Sequence, residues 1–283
     1  MKNKVCMITG GSSGIGKATA LGLAKMGASL VIVTRDQSQG EAAVAEIQAA
    51  SGNSHVDLLI ADLSSQKAIR QLVSDYRSRH DRLNVLINNA GISLTKRAVT
   101  DEGIEKVFAV NYLAPFLLTN LLLDRLKSST PARIVNVAGD FHRRASIRFD
   151  DLMTEKEYSG FRANNQAKLA LILFTYELAR RLEGTGVTIN ALHPGAVATD
   201  AAMKDPDVSA FGRFMYRLFK PFFLTPEKGA ATSLYLASSP DVEGVTGKYF
   251  IKQKAVPSSP ESYNTEIAQR LWETSLKLTG FSV

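Results

Sequence analysis

Short apolar runs, almost free of charge, recur along the chain at Val5–Thr9, Ser29–Thr34, Val56–Ala61, Val85–Asn88, Arg133–Val137, Thr188–Leu192 and Lys248–Ile251. They are rich in Val and Ile and do not alternate with polar residues, which predicts strands buried on both faces. Between them the apolar positions follow a helical period near Ile15–Met26, Gly40–Ala50, Gln66–His80, Glu102–Lys127, Arg162–Glu183 and Pro226–Ser238. Strand and helix in regular alternation predict an α/β fold with a doubly wound parallel sheet of about seven strands, right-handed crossovers and helices on both faces. The pattern holds no internal repeat and no second domain, so residues 1–283 read as one domain. An irregular insertion falls at about 205–225, and a tail helix is expected at about 260–280.

The bulk numbers narrow the picture. With 283 residues, 45% of them hydrophobic, the chain is long enough for one large core. Its one cysteine, Cys6, lies in the first apolar run and rules out a disulfide framework, which points to a reducing, cytoplasmic setting. No apolar stretch approaches the roughly 20 residues of a membrane span, and Met1–Lys4 leads into the first strand with no cleavage pattern. A formal charge of +7 admits nucleic acid, a membrane surface or an anionic ligand as partner. The basic residues are scattered with no run of five or six, which argues against nucleic acid and for a solvated surface with a polyanionic cofactor.

In a sheet of this kind ligands sit beyond the carboxyl ends of the strands, where the strand order reverses. Thr9-Gly10-Gly11-Ser12-Ser13-Gly14-Ile15-Gly16 occupies such a place, after the first strand and opening a helix. Glycines let the backbone approach a pyrophosphate, and the helix start offers unpaired N–H groups and a positive dipole end. Gly10, Ser12, Ser13, Gly14 and Ile15 are therefore candidate cofactor residues on a Rossmann-like frame. At the end of the second strand, where a carboxylate would bind the ribose of NAD, Thr34 is followed by Arg35, with Lys17 just past the glycine loop. A guanidinium holds a 2′-phosphate that a carboxylate would repel, so the cofactor expected is NADP(H), while Asp36 leaves NAD as the alternative. Asp62 and Leu63 end the third strand and suit contacts on the adenine side. No metal site is expected.

The chain resembles the classical short-chain dehydrogenase/reductase family, and within it the retinol-dehydrogenase-like branch. The resemblance covers nearly the whole length. It rests on the glycine loop, on Asn88-Asn89-Ala90-Gly91, on Asn111 within Val110-Asn111-Tyr112, on Lys168 and on His193-Pro194-Gly195. It implies that Asn88 to Gly91 stabilise the central sheet and that Asn89, Ala90 and Gly91 line the cofactor channel. It further implies that Asn111 holds a water in a proton relay and that Lys168 binds the nicotinamide ribose. Pro194, Gly195, Val197 and Thr199 would shape the nicotinamide pocket.

Two positions depart from the pattern. The family's tyrosine, four places before the lysine, is Asn164, and the family's catalytic serine place in Val137-Ala138-Gly139 is Gly139. Asparagine has no titrating proton near neutrality and glycine has no side chain to orient a carbonyl. Losing a positioned general acid is worth roughly 10²–10⁴-fold in rate. Tyr158 has the wrong spacing to share the tyrosine's place, whereas Asp140 and His142, after the fifth strand, could act through a water. His193 reads as structural.

Phe211 to Leu224 is aromatic, apolar and basic, and it falls where the family keeps its substrate lid. Phe214, Met215, Leu218 and Phe219 would favour a large apolar substrate. Arg213, Arg217 and Lys220 would equally suit lipid headgroups, which makes peripheral membrane contact an alternative or a companion role. Phe116-Leu117-Leu118 and Leu169-Ala170-Leu171 lie on helices that relatives pair into oligomers, so a homo-oligomer is a further expectation. The reading of function is an NADPH-dependent carbonyl reductase acting on a bulky apolar substrate without the usual acid pair. The alternatives are a non-redox cyclase, isomerase or dehydratase on the same frame, and a nucleotide-binding protein without turnover.

Overall fold

The computed structural model describes residues 1–197, 207–208, 216–217 and 223–282. Its sheet is built from β1 (Val5–Thr9), β2 (Ser29–Thr34), β3 (Val56–Ile60), β4 (Val85–Asn88), β5 (Ala132–Val137), β6 (Val187–His193), β7 (Tyr249–Ile251) and β8 (Lys254–Val256). The spatial order is β3-β2-β1-β4-β5-β6-β7-β8, parallel throughout except for β8. Strand order reverses between β1 and β4, which opens a crevice at their carboxyl ends.

Alternation along each strand divides the core in two. On one face Cys6, Ile8, Leu30 and Ile32 pack against α1 (Gly14–Lys25), α2 (Gln37–Ser51) and a later helix, Pro226–Ser238. On the other, Met7, Val31, Val33 and Leu86 meet α3 (Gln66–Arg79) and the central helices.

The long helical pattern from Glu102 to Lys127 resolves into pieces. A turn and an isolated bridge between Val99 and Glu105 precede α4 (Lys106–Phe108). Glu105 caps it, its carboxylate accepting from the N–H groups of Val107 and Phe108 at 2.9 and 2.7 Å. A π turn over Ala109–Leu113 follows, then α5 (Ala114–Leu121) and α6 (Leu123–Ser128). Pro115 explains the widening: it has no N–H for the carbonyl four residues back, which belongs to Asn111, and its ring crowds that turn. Thus the π turn sits on a predicted site residue. Beyond β5 the longest helix, α7 (Gly160–Arg181), carries Asn164 and Lys168. Pro226–Ser238 is α8, and α9 runs Thr265–Thr279.

The eighth strand is one that the apolar pattern does not announce. It returns from β7 through Lys252 and Gln253, both at positive φ (50° and 64°). A two-residue hairpin of that kind usually advertises itself with Asn or Gly, and here it does not. The tail helix begins later than 260 because Asn264 caps it, accepting from Ile267 N at 3.0 Å, and it ends where Gly280 turns left-handed.

That last helix closes the core. Trp272 lies edge-on to Phe116 with ring centroids 5.0 Å apart and stacks on Phe174 at 5.9 Å, and the Arg181 guanidinium sits 4.2 Å over its ring. The apolar residues 116–118 and 169–171, candidates for subunit pairing, are thereby buried within the chain. Tyr112 donates to Ser275 Oγ at 2.6 Å, and Ser275 donates on to the Leu271 carbonyl. Ser275→Ala should leave the Tyr112 hydroxyl buried without an acceptor and cost about 1–3 kcal/mol in urea unfolding. An unchanged unfolding midpoint would show that the tail helix is not part of the cooperative core.

Candidate active site

Hydrogen bonds tie the loops of the carboxyl edge to their neighbours, beginning with the glycine loop. Gly10 N and Gly11 N both donate to the Val33 carbonyl, at 2.8 and 3.3 Å, and Ser12 Oγ lies 3.1 Å from Thr34 Oγ1. Gly10 holds φ +66°, a conformation that favours glycine. Gly16 lets α1 approach the loop: a Cβ there would stand 2.1 Å from the Gly10 carbonyl oxygen. Helix α1 begins after Ser13, whose side chain caps nothing, with no acidic residue in its first turn. Its N-terminal N–H groups and dipole suit an anion.

Thr9 joins this loop to the one after β4. Its hydroxyl accepts from Asn89 N at 3.0 Å and Ala90 N at 3.1 Å, while Asn89 Nδ2 donates to the Thr9 carbonyl at 2.9 Å. Asn88 instead points into the core, donating to Thr119 Oγ1 and to Asn136 Oδ1, and Asn136 continues to Thr175. Asn88 is thus a brace between layers, and Asn89, Ala90 and Gly91 form the edge.

Asn111 is held by the π turn against the same loop. Its Oδ1 accepts from Ile92 N at 2.8 Å, and its Nδ2 donates to the Ile92 carbonyl at 2.9 Å and to Asn164 Oδ1 at 3.0 Å. The carboxamide oxygen of Asn164 is therefore engaged, which leaves its N–H₂ as the group it can offer. Lys168, one helical turn on, donates to the Val137 carbonyl at 3.0 Å. A Cβ on Gly91 would lie 3.4 Å from Asn111 Oδ1 and 3.6 Å from Lys168 Nζ, so Gly91 adjoins both groups. Burial lowers the Lys168 ammonium from its ordinary 10.5 to about 8.

After β5 the chain turns through Gly139 at φ +84°, with nothing within 4 Å of where a Cβ would be. The Gly139 carbonyl accepts from Tyr249 OH at 2.9 Å and pairs with His142 Nδ1 at 3.1 Å. His142 has 0% exposure, lies edge-on to the Tyr249 ring at 4.8 Å, and is held below its ordinary pKa by burial. This corrects the expectation that His142 supplies a proton through water: it packs inside the turn. Asp140 is paired with Arg143 at 2.6 Å, and Tyr158 donates to the Leu94 carbonyl at 3.1 Å. Neither stands in the place of the missing phenol.

At the outer end, the Asp36 carboxylate caps α2. A backbone bond from Gln39 N (2.9 Å) and a side-chain bond from Ser38 Oγ (2.8 Å) hold it below the usual carboxylate range. Lys17, considered with the glycine loop, turns away to Glu46 at 2.6 Å. Arg35 stays exposed at the end of β2. Against partial burial, bonds from Ser64 N and Oγ keep Asp62 ionised, and Leu63 packs on the core. After β6, Gly195 at φ +88° lets Leu224 approach, and Val197 bridges to Leu224 while packing on Gly229 of α8. Val197 thereby comes near the start of α1, since Ile15 also meets Gly229. Thr199 and most of the 205–225 insertion lie outside the described residues.

The described candidates thus come from the segments after the six strands β1 to β6 and from two helical segments, all at the carboxyl edge of the sheet. Thr9 and Tyr249 were not foreseen. A threonine ending a strand carries no signal of its own, and Tyr249 sits in a run that reads simply as apolar. Among the described residues no helix is long and apolar enough to cross a membrane, and no His, Cys, Asp and Glu group could hold a metal.

Residues 4–208 match the profile described as short chain dehydrogenase. The chain is 44% identical over 277 residues to retinol dehydrogenase 12 of Mus musculus, covering 98% of this chain and 86% of that protein. It is 42% identical over 294 residues to retinol dehydrogenase 14 of Homo sapiens, covering 99% and 87%. Among solved structures it is similar to a protein of Mycobacterium paratuberculosis (TM-score 0.78, 29% identity, 99% and 95% coverage). It also resembles a 3-ketoacyl-(acyl-carrier-protein) reductase from Brucella melitensis complexed with NADH (TM-score 0.68, 26% identity, 88% and 96% coverage).

Proposed function

The chain belongs to the short chain dehydrogenase family, and from that premise we propose that it is an NADPH-dependent carbonyl reductase for a bulky apolar substrate, with an active site lacking the usual acid pair. The observation that carries the reading is the Asn111–Asn164 bond beside Lys168, on the same sheet edge as the glycine loop. The residues present fit a pyridine dinucleotide. Gly10 to Ile15 and the start of α1 would take the pyrophosphate, Asn89 to Gly91 would line the channel, and Lys168 would hold the nicotinamide ribose. When bound, the dinucleotide supplies the hydride. Asn164, its oxygen occupied by Asn111, would present its N–H₂ to the oxygen of the carbonyl as negative charge develops there.

NADPH is preferred over NADH because Asp36, the carboxylate that could serve a ribose, is occupied as a helix cap, whereas Arg35 is exposed beside it. Arg35→Ala should weaken NADPH about tenfold and leave NADH unchanged, by calorimetry. Equal losses for both cofactors would remove the phosphate assignment.

An apolar substrate is supported by Phe141 and Phe161, which are 51% and 55% exposed, meet edge to face at 5.9 Å, and follow Gly139 and precede Asn164 in the chain. The curated relatives named for retinol make a long polyene aldehyde the first probe. Loss of NADPH absorbance with all-trans-retinal and a panel of bulky ketones tests the proposal. Tight NADPH binding without oxidation by any of them would favour the second reading, a non-redox enzyme on this frame, which the absence of a titrating group at 139 and 164 would suit. A cytoplasmic setting, with peripheral membrane contact through the insertion, completes the proposal.

A further inference from the structure

Proton supply is the step that the constellation leaves open, and the described residues allow an assignment by elimination. Asp140 is committed to Arg143, His142 to the Gly139 carbonyl, Tyr249 to the same carbonyl, and Tyr158 to the Leu94 carbonyl. The remaining acids at this edge are His193, at the end of β6, and Lys168. An ammonium has three N–H donors, and Lys168 gives one to Val137 O. It stands four residues after Asn164 on one helix, so both side chains rise on the same face. The group that it flanks at 164 is an amide, and at 139 there is only a backbone turn with open space beside it.

We propose that Lys168 is itself the acid of the reaction, donating a proton directly to the oxygen of the carbonyl being reduced. This rests on the reductase reading above and deepens it. The carbonyl carbon accepts a hydride from NADPH, and the C=O π pair moves to oxygen. That oxygen forms an O–H bond as one N–H bond of the Lys168 ammonium breaks. The products are the alcohol, NADP⁺ and a neutral amine, which regains its proton from solvent before the next cycle.

Burial alone sets the acidity of this ammonium near 8, with no ionisable neighbour contributing. Of the titratable groups on the elements around it, Asp140, His142 and Tyr249 are bonded as described, whereas His193 Nδ1 is buried without a hydrogen-bond partner and burial lowers its pKa, which makes it the rival acid. A group with pKa near 8 is matched to work at neutral pH, where it is protonated and gives its proton up readily.

The test has a kinetic arm and an arm without cofactor. The wild-type rate of all-trans-retinal reduction by NADPH should be level below pH 8 and fall tenfold per pH unit above it. Lys168→Arg, a permanent cation, should lose at least 100-fold in rate and show no pH dependence between about 6 and 9. Added methylammonium should restore at least tenfold to Lys168→Ala. In the protein alone, Lys168 is deprotonated near pH 8 when folded and near 10.5 when unfolded, so the unfolded chain binds more protons between these values. The Lys168 contribution to stability therefore rises with pH across that window. Cys6 and the buried tyrosines, which burial holds protonated in the folded chain, act in the opposite direction at its upper end and are common to wild type and Lys168→Met. In urea unfolding the folding constant of wild type should gain up to tenfold per pH unit relative to Lys168→Met.

A rate that falls with a midpoint below 6.5 would assign the acid to His193, whose pKa burial lowers from that value, and would overturn the proposal. A level profile through pH 8 with no methylammonium rescue would overturn it in favour of water. Absence of NADPH oxidation at every pH would overturn the reductase reading and this inference together, whereas the first two outcomes leave that reading standing.

Discussion

Gly16→Ala is expected to weaken NADPH binding by at least 100-fold and to lower stability by about 1–3 kcal/mol or more. The added Cβ would lie 2.1 Å from the Gly10 carbonyl oxygen and 2.5 Å from Asn89 Nδ2. Neither can give way cheaply. Gly10 is backbone, held by its N–H on Val33, and Asn89 Nδ2 is bonded to the Thr9 carbonyl. Helix α1 must therefore back away from the glycine loop, and overpacking of this kind costs a few kcal/mol. The same shift moves the helix N–H groups away from the place where a pyrophosphate would lie, and a 100-fold loss corresponds to about 2.8 kcal/mol. Calorimetric titration and urea unfolding of the variant measure the two effects. An unchanged affinity would mean that the dinucleotide does not lie against α1.

Asn164→Tyr is expected to raise the rate of carbonyl reduction by about 10- to 100-fold. A positioned general acid is worth 10²–10⁴-fold, and the gain is smaller here because Lys168 already supplies a proton. Helix α7 holds position 164 one turn before Lys168, so the phenol would enter the same face. Its cost is the bond from Asn111 Nδ2 to Asn164 Oδ1, and Asn111 keeps both of its bonds to Ile92. Adding Gly139→Ser should contribute little. The space is open, but φ of +84° is strained for any side chain, at a cost of about 1–2 kcal/mol. Steady-state NADPH oxidation with retinal, beside the urea midpoint of each variant, separates the two substitutions. A tyrosine variant that binds NADPH and shows no gain would mean that proton transfer does not limit the reaction.

Much of the fold was legible because its signals are local. Buried parallel strands read as uninterrupted Val and Ile runs, and all the expected strands occur within a residue or so of their predicted bounds. The pieces that were not legible depend on partners distant in sequence or on backbone shapes without a residue signature. The strand Lys254–Val256 follows a left-handed Lys252-Gln253 turn that only its pairing with β7 requires. The helix expected from Glu102 broke at the π turn before Pro115, since periodicity counts apolar positions and does not register a missing N–H.

By itself the sequence determined the α/β class, the glycine loop at the head of α1, and the unusual pair Gly139 and Asn164 set beside Lys168. These are matters of residue type and spacing, which the chain carries without folding. Tertiary structure alone decided that Asp36 is a cap, that Lys17 turns to Glu46, that His142 is sealed in its turn, and that Asn111 engages the Asn164 oxygen. Each of these depends on what the fold brings within hydrogen-bond reach of a polar atom or removes from water. That competition between partners and solvent has no trace in a linear pattern.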